Sequence, residues 1–432
     1  LTSLSDPLVL PCGAVLANRL AKAAMTEGLA DTKGRATAAL ERLYGLWADG
    51  GAGLLITGNV QIDRFHLERP GNVILERAPD AETLAALTRM AAAGGRGGGH
   101  VWMQISHAGR QTPIAVNPHP KAPSATAVAL PGKQFGDPVA LTEPEIADLV
   151  ERFGVAAEAA KAAGFTGVQI HAAHGYLLSA FLSPRANTRR DRYGGSAENR
   201  ARMLMEVTAR VRRGVGPAFP VSVKLNSADF QKGGFAFEDS LAVAEQLQAA
   251  GIDLIEISGG SYEQPAMMDI QGLEPAEAQT VKPSTAAREA YFVAFAKAMQ
   301  ATVKIPLMVT GGFRTRAAME QALAGGAVSV IGLGRPLCVD PDGPRRLLEG
   351  AAALERWELR LRLLPPWLGA LRRLKLMTAL EGFAVTYWYY AQIEALARTG
   401  KAAPQVSPLA AFLAVNRSGA AWLKARGERA PR

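Results

Sequence analysis

Cysteine is almost missing from this chain. Only Cys12 and Cys338 occur, far apart and without a CxxC, which excludes a disulfide framework, a zinc-thiolate site and a cysteine-ligated iron–sulfur cluster. A reducing, cytoplasmic location is therefore expected. No apolar run approaches the ~18 residues that span a bilayer, and no basic segment followed by an apolar one opens the chain, so no membrane partner is expected. The chain starts at Leu1 and not at Met, as a trimmed N-terminus would. Also lacking are HExxH, the mark of many zinc hydrolases, and GxGxxG after an early strand, the mark of a dinucleotide-binding doubly wound sheet.

Charge of one sign is missing from most of the chain, although the net charge is +9. Of 48 Lys and Arg and 39 acidic residues, 15 and 6 lie from Arg345 onward, which leaves the first 344 residues balanced at 33 of each sign. A neutral body lacks the basic stripe that a nucleic acid requires, so no nucleic-acid partner is expected. What the chain has is apolar material, 48 % of residues, together with 44 Gly, a composition that buries a large core.

Short β-branched and apolar runs alternate with segments of helical periodicity. Strands are expected at Leu20 to Ala24, Leu54 to Thr57, Val101 to Ile105, Gly167 to His171, Val221 to Leu225, Leu254 to Ser258, Leu307 to Thr310 and Ser329 to Gly332. Helices are expected near Ala36 to Asp49, Asp80 to Ala93, Glu143 to Ala163, Ala197 to Arg213, Phe237 to Ala250, Thr285 to Met299, Arg316 to Ala324 and around Pro341. Eight strand–helix repeats predict an α/β fold, a (β/α)8 TIM barrel. A hairpin over Leu8 to Leu16, centred on Pro11-Cys12-Gly13, is expected to plug its bottom. Residues 1–350 form the expected barrel domain and 351–432 a C-terminal helical extension. The long segments Ser106 to Leu141 and Gly259 to Pro283 follow strands and are expected to act as lids.

Barrel chemistry sits at the C-terminal ends of the strands, and here those ends are polar. Glycines follow strands seven and eight directly, at Gly311-Gly312 and Gly332-Leu333-Gly334-Arg335. There, backbone N–H groups and a guanidinium can grip a phosphate; tight turns alone are the alternative. Strand four ends His171-Ala172-Ala173-His174-Gly175-Tyr176. A metal needs a third ligand that the pattern does not supply, whereas two neutral imidazoles can polarise one carbonyl oxygen and Tyr176 can deliver a proton. A buried structural histidine pair is the bland alternative.

Taken together, Asn18 to Thr26, Gln104 to Arg110, His171 to Pro184, Asp191 to Arg200, Thr310 to Thr315 and Gly334-Arg335-Pro336 resemble the Old Yellow Enzyme family of FMN-dependent NAD(P)H oxidoreductases, or ene-reductases. The resemblance runs from Leu8 to about Asp342. It implies one bound FMN, a hydride donor that is NADPH or NADH, and a ping-pong reduction of the C=C bond of a small electron-poor alkene. It implies a phosphate site at Gly312, Gly334 and Arg335, with Ala24, Met25, Thr26, Gly58 and Gly311 also binding the cofactor. Thr26 would bond flavin O4, Gln104 would read the pyrimidine edge, and Lys224 would place a cation beside N1 and O2. His171 and His174 would bind the substrate carbonyl, and Tyr176 would be the proton donor. Ala24 replaces the family's usual Pro and Lys224 its commoner Arg. Relatives reuse such a site for oxidative demethylation or dehydrogenation, and a non-redox lyase or isomerase of a phosphorylated substrate would share the glycines alone.

The stretch from Ala351 on holds four of the six tryptophans, and Leu380, Phe383, Ala384, Tyr387 and Ala391 fall at helical spacing. It is expected to dock on the barrel's outer helices, with a partner subunit in a homo-oligomer or a lid over the flavin as alternatives. Cys338 is expected to be a small buried thiol.

Overall fold

In the computed structural model, eight parallel strands close on themselves. Residues 2–130, 133–259, 285–361, 375–428 and 430 are described, with the helical backbone alone for 285–291 and 375–383. The strands are β1 (Leu20–Lys22), β2 (Leu54–Ile56), β3 (His100–Ser106), β4 (Gly167–Ala172), β5 (Val221–Asn226), β6 (Leu254–Ser258), β7 (Leu307–Thr310) and β8 (Val330–Leu333). Pairing runs β2–β1–β8–β7–β6–β5–β4–β3, and β3 pairs with β2 to shut the ring. Every residue of β2, β4, β5 and β6 is buried, because helices cover the outer face and side chains fill the inner one.

The helices are α1 (Ala38–Asp49), α2 (Ala81–Gly94), α3 (Glu143–Ala162), α4 (Leu177–Leu182), α5 (Ala197–Val215), α6 (Phe237–Ala249), α7 (Thr285–Thr302), α8 (Arg316–Ala324), α9 (Gly343–Leu348), α10 (Lys375–Thr399) and α11 (Pro408–Arg426). Their starts carry recognisable caps. Asp80 accepts from Thr83 N at 2.8 Å, Ser196 from Asn199 N at 3.2 Å, and Thr142 forms a reciprocal capping box with Glu145. The short helix α4, fully buried directly after Tyr176, was not expected from the sequence. Six apolar and small residues are too few for helical periodicity to show.

At the barrel's N-terminal end Leu8–Val9 pairs antiparallel with Val15–Leu16. Leu10 and Leu16 from this hairpin pack against Leu54, Trp102, Leu254, Met308 and Val330 inside the barrel. Each buried leucine contributes on the order of 2 kcal/mol. Cys12 N donates to Asp253 Oδ1 at 2.9 Å, which ties the hairpin to the start of β6.

The segment after β3 is more ordered than a free lid: Lys121–Ala122 pairs parallel with Val139–Ala140. Gly260 and the rest of the expected loop after β6 lie outside the described residues, as do the side chains of Leu380 and Phe383.

Beyond the barrel, α10 and α11 reach both an outer helix and the loops at the strands' C-terminal ends. Arg42 of α1 donates to the carbonyls of Ala397 and Arg398 at 2.7 and 2.9 Å, satisfying the end of α10. Trp388 is buried and donates to Val406 O at 2.7 Å, holding α10 against the link to α11. Trp422 of α11 donates to Ala30 O at 3.0 Å in the loop after β1. Among the described residues no helix is long and apolar enough to cross a membrane.

Lys22 of β1 is fully buried under α1, where Nζ donates to Ile56 O at 2.7 Å and sits 4.3 Å from the Trp47 ring centre. Burial, only partly offset by Glu27, lowers its pKa to about 8. The unfolded chain keeps that proton to about 10.5, so between about 8 and 10.5 unfolding binds a proton and stability rises with pH. Denaturant unfolding across this range is expected to show a gain on the order of 3 kcal/mol that Lys22→Met abolishes. An unchanged slope in the variant counts against a buried lysine of this kind.

Candidate functional site

Side chains of one parity along each strand face the barrel interior. From bottom to top this parity gives Trp102, Gln104 and Ser106 on β3, Gln169 and His171 on β4, Ser222, Lys224 and Asn226 on β5, and Leu254, Glu256 and Ser258 on β6. The lowest layer is largely apolar and meets the hairpin plug. Above it the interior turns polar, and around the mouth stand Met25, Gly58, Ser106, His171, Asn226, Ser258, Gly312 and Gly334, with no leucine among them.

Four side chains form a continuous buried chain below the mouth. Gln104 Nε2 donates to Gln169 Oε1 at 2.8 Å, and Gln169 Nε2 donates to Glu256 Oε2 at 2.9 Å. Glu256 Oε1 lies 3.0 Å from Lys224 Nζ. Gln104 and Lys224 were expected at this site. Gln169 and Glu256 were not, yet both are polar residues inside apolar strands, at the parity of the mouth residues.

At the end of β4 the rings of His171 and His174 lie 5.2 Å apart, and that of Tyr176 lies 4.9 Å from His171, each pair edge to face. Ala173 N donates to His171 Nδ1 at 3.3 Å, so the neutral ring carries its proton on Nε2. His174 adopts a left-handed backbone, φ 64°, uncommon for a residue other than glycine. Its N–H donates to Asn226 Oδ1 at 3.1 Å, its carbonyl accepts from Gln111 Nε2 at 2.8 Å, and its Nε2 lies 2.6 Å from Ser258 Oγ. Burial, then the neighbouring His174 and the Lys224 charge, hold the His171 pKa well below its ordinary value. Burial and Lys224 do the same to His174. Both rings are neutral hydrogen-bonding groups at physiological pH and not cations.

After β7 and β8, Gly311 and Gly312 have φ of 132° and 80°, and beyond Gly334 the nearest atom that a Cβ would meet is Met25 Sδ at 3.9 Å. Thus the backbone there is bare and open, next to Arg335. Arg335 lies 5.8 Å from the Tyr389 ring of α10, and Tyr389 donates to Glu358 at 3.2 Å. On the neighbouring rim, after β1 and β2, Thr26 Oγ1 donates to Asn59 Oδ1 at 3.4 Å. Gly58 has another role: its N–H donates to Glu27 Oε1 at 2.9 Å, and a Cβ would strike Met25 O at 2.5 Å, so glycine here permits the close approach of two loops. Glu27 in turn accepts from the buried Tyr44 hydroxyl. Ala24 precedes Met25, whose Sδ accepts from Cys338 Sγ at 3.4 Å.

Between these loops and the extension lies a cavity of about 530 Å³, lined by Arg69, Phe135, Tyr387, Tyr390 and Trp422 among others. The Arg69 guanidinium stacks 3.9 Å from the Tyr390 ring centre.

A second titratable cluster lies outside the mouth. Asp63, His66 and His107 bring one potential ligand atom each within 4.8 Å of one another. Lys121 N donates to His66 Nε2 at 2.8 Å and Gly109 N to His107 Nδ1 at 3.0 Å. A neutral imidazole that accepts on one nitrogen holds its proton on the other, so both remaining nitrogens are N–H donors without the lone pair a metal needs. The two rings stack with centres 4.3 Å apart, and Ala108 N donates to His66 O at 3.3 Å, so the cluster joins the loops after β2 and β3.

The model of the NADH:flavin oxidoreductase / NADH oxidase family matches residues 4–353. An NADH-dependent flavin oxidoreductase of Hypocrea jecorina is 38 % identical over 373 residues, 80 % of this chain and 88 % of that one. Among solved structures, an old yellow enzyme homologue from Zymomonas mobilis is 27 % identical with a TM-score of 0.67, covering 84 % of this chain and 97 % of that one. A 2-naphthoyl-CoA reductase in complex with 2-naphthoyl-CoA is 26 % identical with a TM-score of 0.71; the match covers 82 % of this chain and spans about half of that protein, 53 %.

Cys338 is 2 % exposed, and burial pushes its thiol up to about 12, which leaves it inert as a nucleophile. Titration with a thiol reagent at pH 8 is expected to label Cys12 at most in the folded protein and both cysteines after denaturation. Rapid labelling of Cys338 in the folded state would contradict this packing.

Proposed function

Because the chain belongs to the NADH:flavin oxidoreductase / NADH oxidase family and is an FMN-dependent oxidoreductase of the old yellow enzyme group, we propose that its reaction carries hydride from a reduced nicotinamide to the C=C bond of an electron-poor alkene. The observation that carries this reading is the mouth itself. It has open glycine backbone with Arg335 at one side, two neutral imidazoles beside a tyrosine at the other, and a buried cation with an amide chain between them.

These residues fit a flavin mononucleotide. Gly311, Gly312, Gly334 and Arg335 would hold the phosphate, since bare N–H groups and a guanidinium suit an anion. Gln104 and Lys224 would face the pyrimidine end, while Thr26, Met25 and Ala24 would line the rim along the ring system, with Gly58 keeping their loop close. When bound, the flavin supplies the hydride-accepting and hydride-donating chemistry.

The chain's own groups act on the alkene. His171 Nε2–H donates to the substrate carbonyl oxygen, and His174, fixed by Asn226, Gln111 and Ser258, stands beside it. Neutral rings suit this role, because they stabilise charge developing on the oxygen without giving up a proton first. Tyr176 then delivers a proton to the carbon next to the carbonyl. The alkene is consequently one conjugated to a carbonyl or similar acceptor. The Hypocrea jecorina relative is described as NADH-dependent, which favours NADH over NADPH as the donor.

The purified protein is expected to be yellow, to bleach anaerobically on addition of NADH, and to regain colour with an enone. His171→Ala is expected to slow the recolouring about 10²-fold while leaving bleaching intact, the loss typical of one oxyanion donor. Tyr176→Phe should act on the same half-reaction, by about 10²-fold or more. Stopped-flow absorbance separates the two halves, and an unaltered recolouring rate in both variants would overturn the assigned roles.

A further inference from the structure

We propose that Glu256 is a positioning residue that sets both the charge and the hydrogen-bond polarity presented to the flavin's pyrimidine end; this rests on Lys224 and Gln104 facing that end. The Glu256 and Lys224 side chains are 0 % and 4 % exposed, sit opposite each other in the β5–β6 register, and approach to 3.0 Å. A lysine alone would place a full uncompensated charge in the interior. The paired carboxylate offsets it, so the mouth receives a tempered cation.

The same carboxylate dictates direction. An ionised carboxylate only accepts, so Gln169 must offer Glu256 its NH2 and turn its oxygen to Gln104. Gln104 must then offer Gln169 its own NH2, at 2.8 Å. This leaves the Gln104 carbonyl oxygen as the acceptor for an N–H in the mouth. One buried acidic residue thereby fixes an amide two side chains away, across three strands.

The test is potentiometric titration of the holoenzyme and its variants. A reduced flavin carries more negative charge than an oxidised one, so removing the buried carboxylate in Glu256→Gln is expected to strengthen binding of the reduced form at least tenfold relative to the oxidised form. That raises the midpoint potential by about 30 mV for a two-electron couple. Lys224→Gln is expected to lower it. Should Glu256→Gln alone fail to fold, the double variant with Lys224→Gln carries no uncompensated buried charge, and its potential is expected to lie above that of Lys224→Gln. An equal or lower potential on removing the carboxylate, in either background, overturns the role of Glu256. Should Lys224→Gln itself leave the potential unmoved, the placement of the flavin beside Lys224 fails instead.

Discussion

Closure of the parallel sheet is the constraint on which everything else depends. Once the strands pair in a ring, every second side chain must enter the same narrow interior, and no strand can choose its content independently. The lower layer is resolved with Trp102, Leu254, Met308 and Val330 and with two leucines from the hairpin. The upper layer is polar and therefore has to be satisfied by its own members, since a buried polar group without a partner costs on the order of 1–3 kcal/mol. The Gln104–Gln169–Glu256–Lys224 chain supplies part of that satisfaction.

The same burial that makes these groups expensive also sets their protonation. His171 and His174 are neutral because the mouth desolvates them and because Lys224 stands near. Lys224 is the register partner of His171 on the neighbouring strand, so one buried cation helps keep both imidazoles uncharged. The backbone cooperates: the left-handed His174 is held from both its N–H and its carbonyl, by Asn226 and Gln111, so an uncommon conformation is imposed by neighbours from two other strand ends.

Much of this was legible in the sequence, for reasons of periodicity. The bounds expected for β6 and β7 agree with those observed, and β8 is displaced by one residue, because short β-branched runs between glycines leave little freedom. The strand ends were legible because barrel chemistry collects there. Gln169 and Glu256 were passed over because their neighbours in sequence are apolar and the strands read as core. Their parity with His171 and Ser258 was the available signal. The helix α4 escaped because six residues carry no period, and the Glu27–Tyr44–Gly58 contact because it depends on three separated segments meeting.

The extension shows where reading by pattern stops and tertiary chemistry begins. Its helical periodicity and tryptophans announced burial, but not the surface they would meet. That surface includes an outer helix, through Arg42, and also the rim, through Ala30 and Arg69 and through the Tyr389–Glu358 pair beside Arg335 and Arg314. The basic excess of the tail is therefore no guide to its role, since the residues that dock on the rim are mainly aromatic, with Glu358 the acid that engages Arg314. Arg314 is 6 % exposed, and burial lowers its pKa against the support of Glu358, so this carboxylate from the extension offsets a buried cation of the barrel. Tail and barrel thereby meet at the rim segment following β7, where Arg314 pairs with a residue more than forty positions further along the chain.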